Sequence, residues 1–528
     1  MRVVERFNIL IEMVKSYLFV KFSTNLIDLI YLMRKYPSTA LEGRSTPLIR
    51  IGFGGFFLIL ISSIPVLAQT PNESILRLLA EKNIITQKQA DSIRESSASQ
   101  SKPTKTFRID LDFRPRSEIR NGYGKLRNDT TRAALFTNHR SRVLITYQQQ
   151  GLFTFHTSIQ DIRVWGDKDP RSNAGTLQLF EAWVEPQLFK NVSLRAGRQK
   201  LSFDNQRLFA ENDWRPNSGA HDAFNLRIQT TSLQSELAVA WNQNAQDANT
   251  AERFFDTQYN GIAPYKGLVV HYLKYKTKKH WTLTSLQASD AFQSTNSADD
   301  KEQLYVRFTN GGRLEWEKEN WYATLSGYYQ WGHLAQGKSI QAWYWQPEIR
   351  WSNSQTTLRL GAEVMSGNNA RRTDADYLAN DHNFVPLYGV AHRFNGSMDF
   401  FTRFPADLNQ AGLVNPYLFF IKKLNSKVEA RSDFHLFFSE GAYRMSRSTE
   451  DFEAGTIIPS YLGFENDFLL TWRPNDFTKI DAGFSYALPT ASMKEILSKA
   501  KGNGHAGLLP TWWYISLSFK PNLFLHKS

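Results

Sequence analysis

Arginine recurs along this chain at strand spacing, with acids close by. Arg195, Arg207, Arg215 and Arg227 follow one another, with Glu181, Glu185, Asp213 and Asp222 nearby in sequence. Arg114 and Arg116, then Arg140 and Arg142, stand at alternate positions of earlier segments; Arg359 and Glu363 do so later. A guanidinium stays charged and offers a planar fork that fits a carboxylate two-pronged. Such residues can bind anions reversibly, each arginine being held by an acid so that no site binds too tightly to release its guest. The competing reading is that they brace a wall through internal ion pairs. No nucleophile elbow, phosphate loop or carboxylate pair set for hydrolysis is present, and no enzyme is expected, although the long connections could carry one. His139, His156, His221, His382 and His392 lack metal-ligand spacing, so neither metal nor cofactor is expected.

The elements that position these charges have a period of two. Val192, Leu194 and Ala196 alternate with Ser193, Arg195, Gly197 and Gln199; Phe224, Leu226 and Ile228 alternate with Asn225, Arg227 and Gln229. Arginine on one face of an apolar strand is costly in a dry core and comfortable in a wet lumen. Residues 194–228 therefore read as two membrane-spanning strands and an extracellular loop. The pattern repeats at 107–114, 140–147, 237–241, 321–325, 358–364 and 480–486. At Ile159 the phase flips, which predicts a bulge that turns Asp161 and Arg163 inward. Short connections (317–320, 473–476) alternate with long ones (243–266, 367–382), as in outer-membrane barrels. At about 23 residues per strand and connection, residues 105–528 give roughly 18 antiparallel strands. The last is aromatic, Trp512 to Phe519, and Phe519 or Phe524 is the expected signal to the barrel assembly machinery.

Composition agrees. Among 528 residues 41% are apolar, mean hydropathy is −0.43, and no linker divides the chain after about residue 105. That excludes a polytopic helical transporter and leaves a barrel, in which 14% aromatics would form interfacial girdles. Cysteine is absent, which excludes disulfides and thiolate chemistry. Residues 49–67 are the one strongly apolar run, and 48–69 read as a signal peptide cleaved after Ala68. Residues 1–47 read as a mis-assigned extension, with Met33 the candidate start. Residues 70–104 read as a short periplasmic helical segment and polar tether. Removing residues 1–69 takes away eight Lys/Arg and four Asp/Glu and lowers the formal charge from +13 to +9. The remaining positive residues are spread along the strands, not gathered into a patch, which points to an anion-attracting lumen and away from nucleic acid.

The text QDIRVWG at 160–166, FEAWVE at 180–185, LRAGRQKLSFDNQRLFAENDW at 194–214 and HDAFNLRI at 221–228 resembles the alginate export family of outer-membrane barrels. GAEVMSG at 361–367, FVPLYGVAHRFNGSMDFF at 384–401 and YLGFENDFLL at 461–470 extend the likeness over most of the barrel, and it is nearest to Bacteroidetes versions. The resemblance implies a monomeric barrel in outer-membrane lipid that passes an anionic polysaccharide, with periplasmic export partners. By motif position the family's channel charges fall on Asp161, Arg163, Arg198, Arg207 and Asp222, although Arg198 departs from the inward parity of its strand. The full set of pore-lining candidates is Arg114, Arg116, Arg140, Arg142, Asp161, Arg163, Glu181, Arg195, Arg198, Arg207, Asp222, Arg227, Arg359 and Glu363. The alternatives are import of an oligosaccharide, a general or phosphate-selective porin, and a barrel enzyme or adhesin.

Overall fold

Strands that alternate apolar and polar residues bury their polar face only by curling the sheet until it closes, and this sheet closes. The computed structural model describes residues 104–127, 132–167, 177–216, 219–243, 265–296, 302–501 and 509–528, with residues 82, 86 and 89. The wall runs through β1 (Lys105–Asn121), β2 (Ala134–Gln149), β3 (Phe153–Val164), β4 (Gln178–Phe189), β5 (Val192–Gln199) and β6 (His221–Gln229). It continues with β7 (Leu233–Trp241), β8 (Gly267–Lys276), β9 (Trp281–Gln293), β10 (Leu304–Lys318), β11 (Trp321–His333), β12 (Ser339–Ser352) and β13 (Thr356–Met365). β14 (Asn380–Asp381) is a two-residue strand within a connection. The wall ends with β15 (Leu413–Lys423), β16 (Val428–Phe438), β17 (Tyr461–Asn475), β18 (Thr478–Pro489), β19 (Thr511–Phe519) and β20 (Asn522–Lys527).

β19 and β20 share one wall position. Both pair with β1, Phe113 facing Phe519 and Ile109 facing Phe524, and the break falls at Lys520-Pro521, where proline cannot extend the ladder. β19 also pairs with β18, so the barrel is closed and antiparallel with 18 strands among the described residues. No described helix is long and apolar enough to cross a membrane. Short turns and both barrel termini share one end; Asn191 (φ 68°) and Glu319 (φ 53°) take the left-handed conformation that such tight turns need. The long connections share the other, outer end. Exposed tryptophans mark both rims of the apolar band: Trp281, Trp321 and Trp472 toward the short turns, Trp241, Trp331 and Trp513 toward the long connections.

Residues 1–101 form a separate unit. Of its described residues, Gln89 is helical and exchanges capping bonds with Thr86 (Thr86 N–H to Oε1, 2.9 Å; Gln89 N–H to Oγ1, 3.2 Å). The expected upstream extension, signal peptide and most of the helical tether lie outside the described residues.

Candidate functional site

Two long connections turn into the barrel instead of projecting from it. The β5–β6 connection carries Leu201, Phe203, Leu208 and Phe209, all buried, and such residues have no stable place on an exposed loop. The β13–β15 connection carries buried Phe384, Tyr388, Met398, Phe400 and Phe401. The two segments pair with each other at Phe209 and Tyr388, with Tyr388 N–H donating to Leu208 O (2.9 Å) and Val390 N–H to Gln206 O (3.0 Å). Gly389 permits this approach, since a Cβ there would collide with the Arg207 carbonyl.

The paired loops are tied to walls around the barrel. Asp204 accepts from Tyr272 on β8 (2.8 Å), Thr284 on β9 (3.0 Å) and Tyr328 on β11 (3.4 Å). Burial nevertheless raises its pKa above the ordinary aspartate value. Tyr388 donates to Asp290 (2.6 Å), which Arg307 also holds. Arg207 reaches Glu363 on β13 with two bonds, 2.5 and 2.9 Å. On β17, Glu465 accepts from Met398 N–H (2.8 Å) and Asp467 from Ser397 N–H (3.1 Å). The helix Ala491–Lys501 props the same layer, its Lys501 pairing with Asp407 (3.3 Å).

β1 and β2 carry a cluster of positive charge on their inner face. Arg114, Arg116, Arg140 and Arg142 share the inner face, with Lys520 beside them. Asp213, at the end of the β5–β6 connection, lies 2.8 Å from Arg140, 3.6 Å from both Arg114 and Arg142, and 3.8 Å from Lys520. Asp112 takes a second Arg140 bond (2.6 Å), and Glu118 accepts from both Arg116 and Arg120. Burial works against ionisation of Asp213, but Arg140, Arg114 and Lys520 outweigh it and hold the carboxyl at about 2. Beside this cluster opens a cavity of about 450 Å³, bordered by Arg114, Arg393, Arg431 and Lys479, by Asp213, Asp433 and Asp481, and by Trp214. Trp214 stacks on His392 with ring centroids 4.1 Å apart, and the Arg116 guanidinium lies over the Trp214 ring, 4.1 Å from its centroid.

Most of the expected residues face inward. Arg195 and Arg227 share Glu185 (2.7 and 2.9 Å), Glu181 meets Lys200 (3.3 Å), and Arg359 meets Glu348 (2.7 Å). Four do not. Asp161 and Arg163 pair with each other (2.7 Å) on the outer face, because β3 stays in phase with β2 throughout: Gln160 bonds the inward Arg142, while Ser141 and His139 oppose Asp161 and Arg163. The bulge lies in β4 instead, where Ser158 faces Glu181 and Ile159 faces Leu179, leaving Phe180 extra. Arg198 and Asp222 likewise form a two-pronged pair (both bonds 2.9 Å) on the outer face, as strand parity requires. Arg207 lies on a loop inside the barrel, not on a strand. Inward residues missed in the sequence include Arg307, Arg313, Arg431 and Lys520; the first three sit at inward parity in β10 and β16, a signal that was available.

A closed barrel of this strand count with girdled rims and a charged interior is an outer-membrane channel. Residues 95–404 match the alginate export family, and the chain belongs to it. No curated protein matches the chain. Among solved structures, Acinetobacter baumannii OccAB1 is similar at TM-score 0.52 and 13% identity over 79% of this chain and 97% of that one. Pseudomonas aeruginosa OccK9 (OpdG) is similar at TM-score 0.51 and 11% identity over 79% and 98%. At these identities the likeness is one of fold. The family is one of export proteins.

Proposed function

We propose that this channel passes an anionic saccharide, an alginate-like polymer or oligomer of uronic acids, through a lumen whose positive charge comes from arginine. The observation that carries this reading is the setting of Asp213, a carboxylate on a loop held by three arginines and a lysine of the wall. A uronate carboxylate has the same charge and planar shape, so an entering sugar can take over those cations as the loop yields them. The neighbouring Trp214, Arg393 and Arg431 extend the path beyond this point. Paired acids throughout the lumen keep each step weak enough to release the chain onward. Ion selectivity and oligouronate block of the refolded barrel in a planar bilayer test the reading: anion selectivity with block that weakens in Arg114→Ala and Arg140→Ala is expected. Current indifferent to oligouronate and to both substitutions overturns it.

The extent of internal pairing favours a second reading, a general anion-selective porin whose arginines mainly brace the wall. It predicts anion selectivity without oligouronate block.

A further inference from the structure

The inner layer leaves a group of inward charges untouched. Glu185 on β4 accepts from Ser193 Oγ (2.6 Å) and from Arg195 Nε (2.8 Å), and Arg227 Nη1 reaches both of its oxygens (2.9 and 3.1 Å). Arg227 also holds Glu236 on β7 (3.3 Å). Among the described residues every partner in this group belongs to the wall, whereas Arg207 and Asp290 are tied up by the two inward connections. The registers set Gln148, Thr154 and Glu185 side by side across β2 to β4, and Gln187, Ser193, Arg227 and Glu236 across β4 to β7. The group lies toward the short turns, the end that faces the periplasm in an outer-membrane barrel. Gln148 is six positions along β2 from Arg142 of the Asp213 cluster, about 20 Å at 3.4 Å per residue.

Two cavities open beside it, of about 670 and 290 Å³, and Glu185, Gln187 and Arg227 border both. Their walls hold hydrogen-bonding groups that the fold does not use. Arg195 lines the smaller cavity, fixed by Glu185 and by the Trp183 ring, 3.8 Å from its guanidinium; among the described residues nothing accepts from its Nη1. Gln148 lines the smaller cavity and Gln150 both, and their side-chain amides bond to no described residue. Bracing of the wall accounts for the bonds of Arg227 and Glu236 but not for these groups. An amide both donates and accepts, as a sugar hydroxyl does, and a guanidinium suits a carboxylate. With Glu185 and Glu236 beside the two arginines the local charge is nearly balanced, which favours a singly charged guest over a multiply charged one.

We propose that this mouth is a second saccharide station, separate from the Asp213 cluster, where Arg195 takes the carboxylate of a uronate sugar and Gln148 and Gln150 take its hydroxyls. It rests on the reading of the channel as a path for anionic saccharide. The two stations differ in kind. Asp213 sits on a loop and must yield its cations to a guest, whereas Arg195 Nη1 and the amides are available with every strand in place. The mouth station therefore acts on a saccharide arriving from the short-turn side, before any part of the inner layer moves, and raises the rate of entry from that side alone.

Single-channel block by a four-residue oligouronate, added to one chamber at a time, tests this. The chain has no cysteine, so the chamber facing the short turns is the one from which an impermeant thiol reagent labels Asn320→Cys in the β10–β11 turn. From that chamber the block rate should fall several-fold in Arg195→Gln and in Gln148→Ala, and stay at the wild-type value from the opposite one. Gln148 makes no side-chain bond, so its variant keeps the fold; heat-modifiable gel mobility checks Arg195→Gln. A neutral glucose tetramer and inorganic phosphate should block far less than the oligouronate. Equal losses from both chambers, no loss in either variant, or block by phosphate as strong as by oligouronate would each overturn the station while leaving the saccharide path standing. Absence of oligouronate block in the wild type from either chamber would overturn the path and the station together.

Discussion

Arg207 and Glu363 are joined by two charge-assisted bonds of 2.5 and 2.9 Å, and neither side chain is appreciably exposed (2% and 0%). One residue belongs to a loop and the other to the wall strand β13, so the pair is a latch between the inner layer and the barrel. Tyr344 adds a third bond to the Glu363 carboxylate (2.9 Å), and Val390 O accepts from Arg207 (2.9 Å), which brings the second loop into the same latch. Removing one partner of a buried pair leaves an uncompensated charge, at a cost of about 3–5 kcal/mol. Arg207→Ala should therefore release the layer, raising single-channel conductance and lowering the melting temperature. Arg207→Ala/Glu363→Ala should be less destabilised than the sum of the single variants, a coupling that a double-mutant cycle in thermal unfolding would measure. Unchanged conductance in Arg207→Ala would mean that the remaining ties alone hold the layer.

Asp213 occupies the cations that an incoming carboxylate would need. Asp213→Asn removes that competition while keeping the side-chain shape, so oligouronate block should tighten several-fold and anion selectivity should rise. Weaker block in Asp213→Asn, measured as residence time in single-channel records, would show that Asp213 orients the arginines and does not stand in for a guest.

The same residue sets an acid limit. Its folded pKa of about 2 lies below the ordinary value of 3.8, so its contribution to holding the loop is fully present above about pH 4 and is lost as pH falls toward 2. The Asp213 contribution to loop docking, read as the difference between wild type and Asp213→Asn in proteolysis of the β5–β6 connection or in current noise, should be constant from pH 8 to pH 5 and weaken only below about pH 4. Asp213→Asn should lack the acid component.

Much of this architecture could be read from residue order. Alternation in 107–114, 140–147 and 358–364 assigned faces correctly because a period of two has only one inward reading once an apolar face is set against lipid. Loop lengths likewise gave the alternation of ends. Two matters were less legible. A bulge belongs to a strand pair, so the phase change near Ile159 could not reveal that the extra residue, Phe180, lies in the partner β4. Nor does local sequence say that a loop turns inward, although Leu201, Phe203, Leu208 and Phe209 in the β5–β6 connection were a sign that something must cover them. The convergence of Arg114, Arg140, Arg142 and Lys520 on Asp213 depends on that inward turn and on closure of the barrel at β1.

The two outward ion pairs separate four of the family's five motif positions from the lumen, leaving Arg207 inside. Arg163 is 50% exposed on the outer face and Arg198 39%, each bonded to an acid of the same face. Arg163→Ala and Arg198→Ala should leave conductance, selectivity and oligouronate block at wild-type values in the planar bilayer. A clear fall in block for either variant would place that side chain in the path and refute the outward assignment.

Gly389 tests whether the two loops must pair for the layer to hold. Its position lets the β13–β15 segment lie against the Arg207 carbonyl, where Tyr388 and Val390 donate to the neighbouring β5–β6 backbone. Gly389→Ala introduces a methyl group into backbone atoms that cannot move aside without breaking those two bonds. The wall itself is untouched, since no strand of the barrel contains this residue. Gly389→Ala should therefore keep barrel heat-modifiability while both connections become sensitive to protease and the channel conducts more. Because each loop retains its own ties, Asp204 to β8 and β9 for one and Tyr388 to Asp290 for the other, the change should be smaller than in Arg207→Ala. A larger effect from Gly389→Ala would make the loop–loop pairing, and not the latch to β13, the main restraint on the lumen.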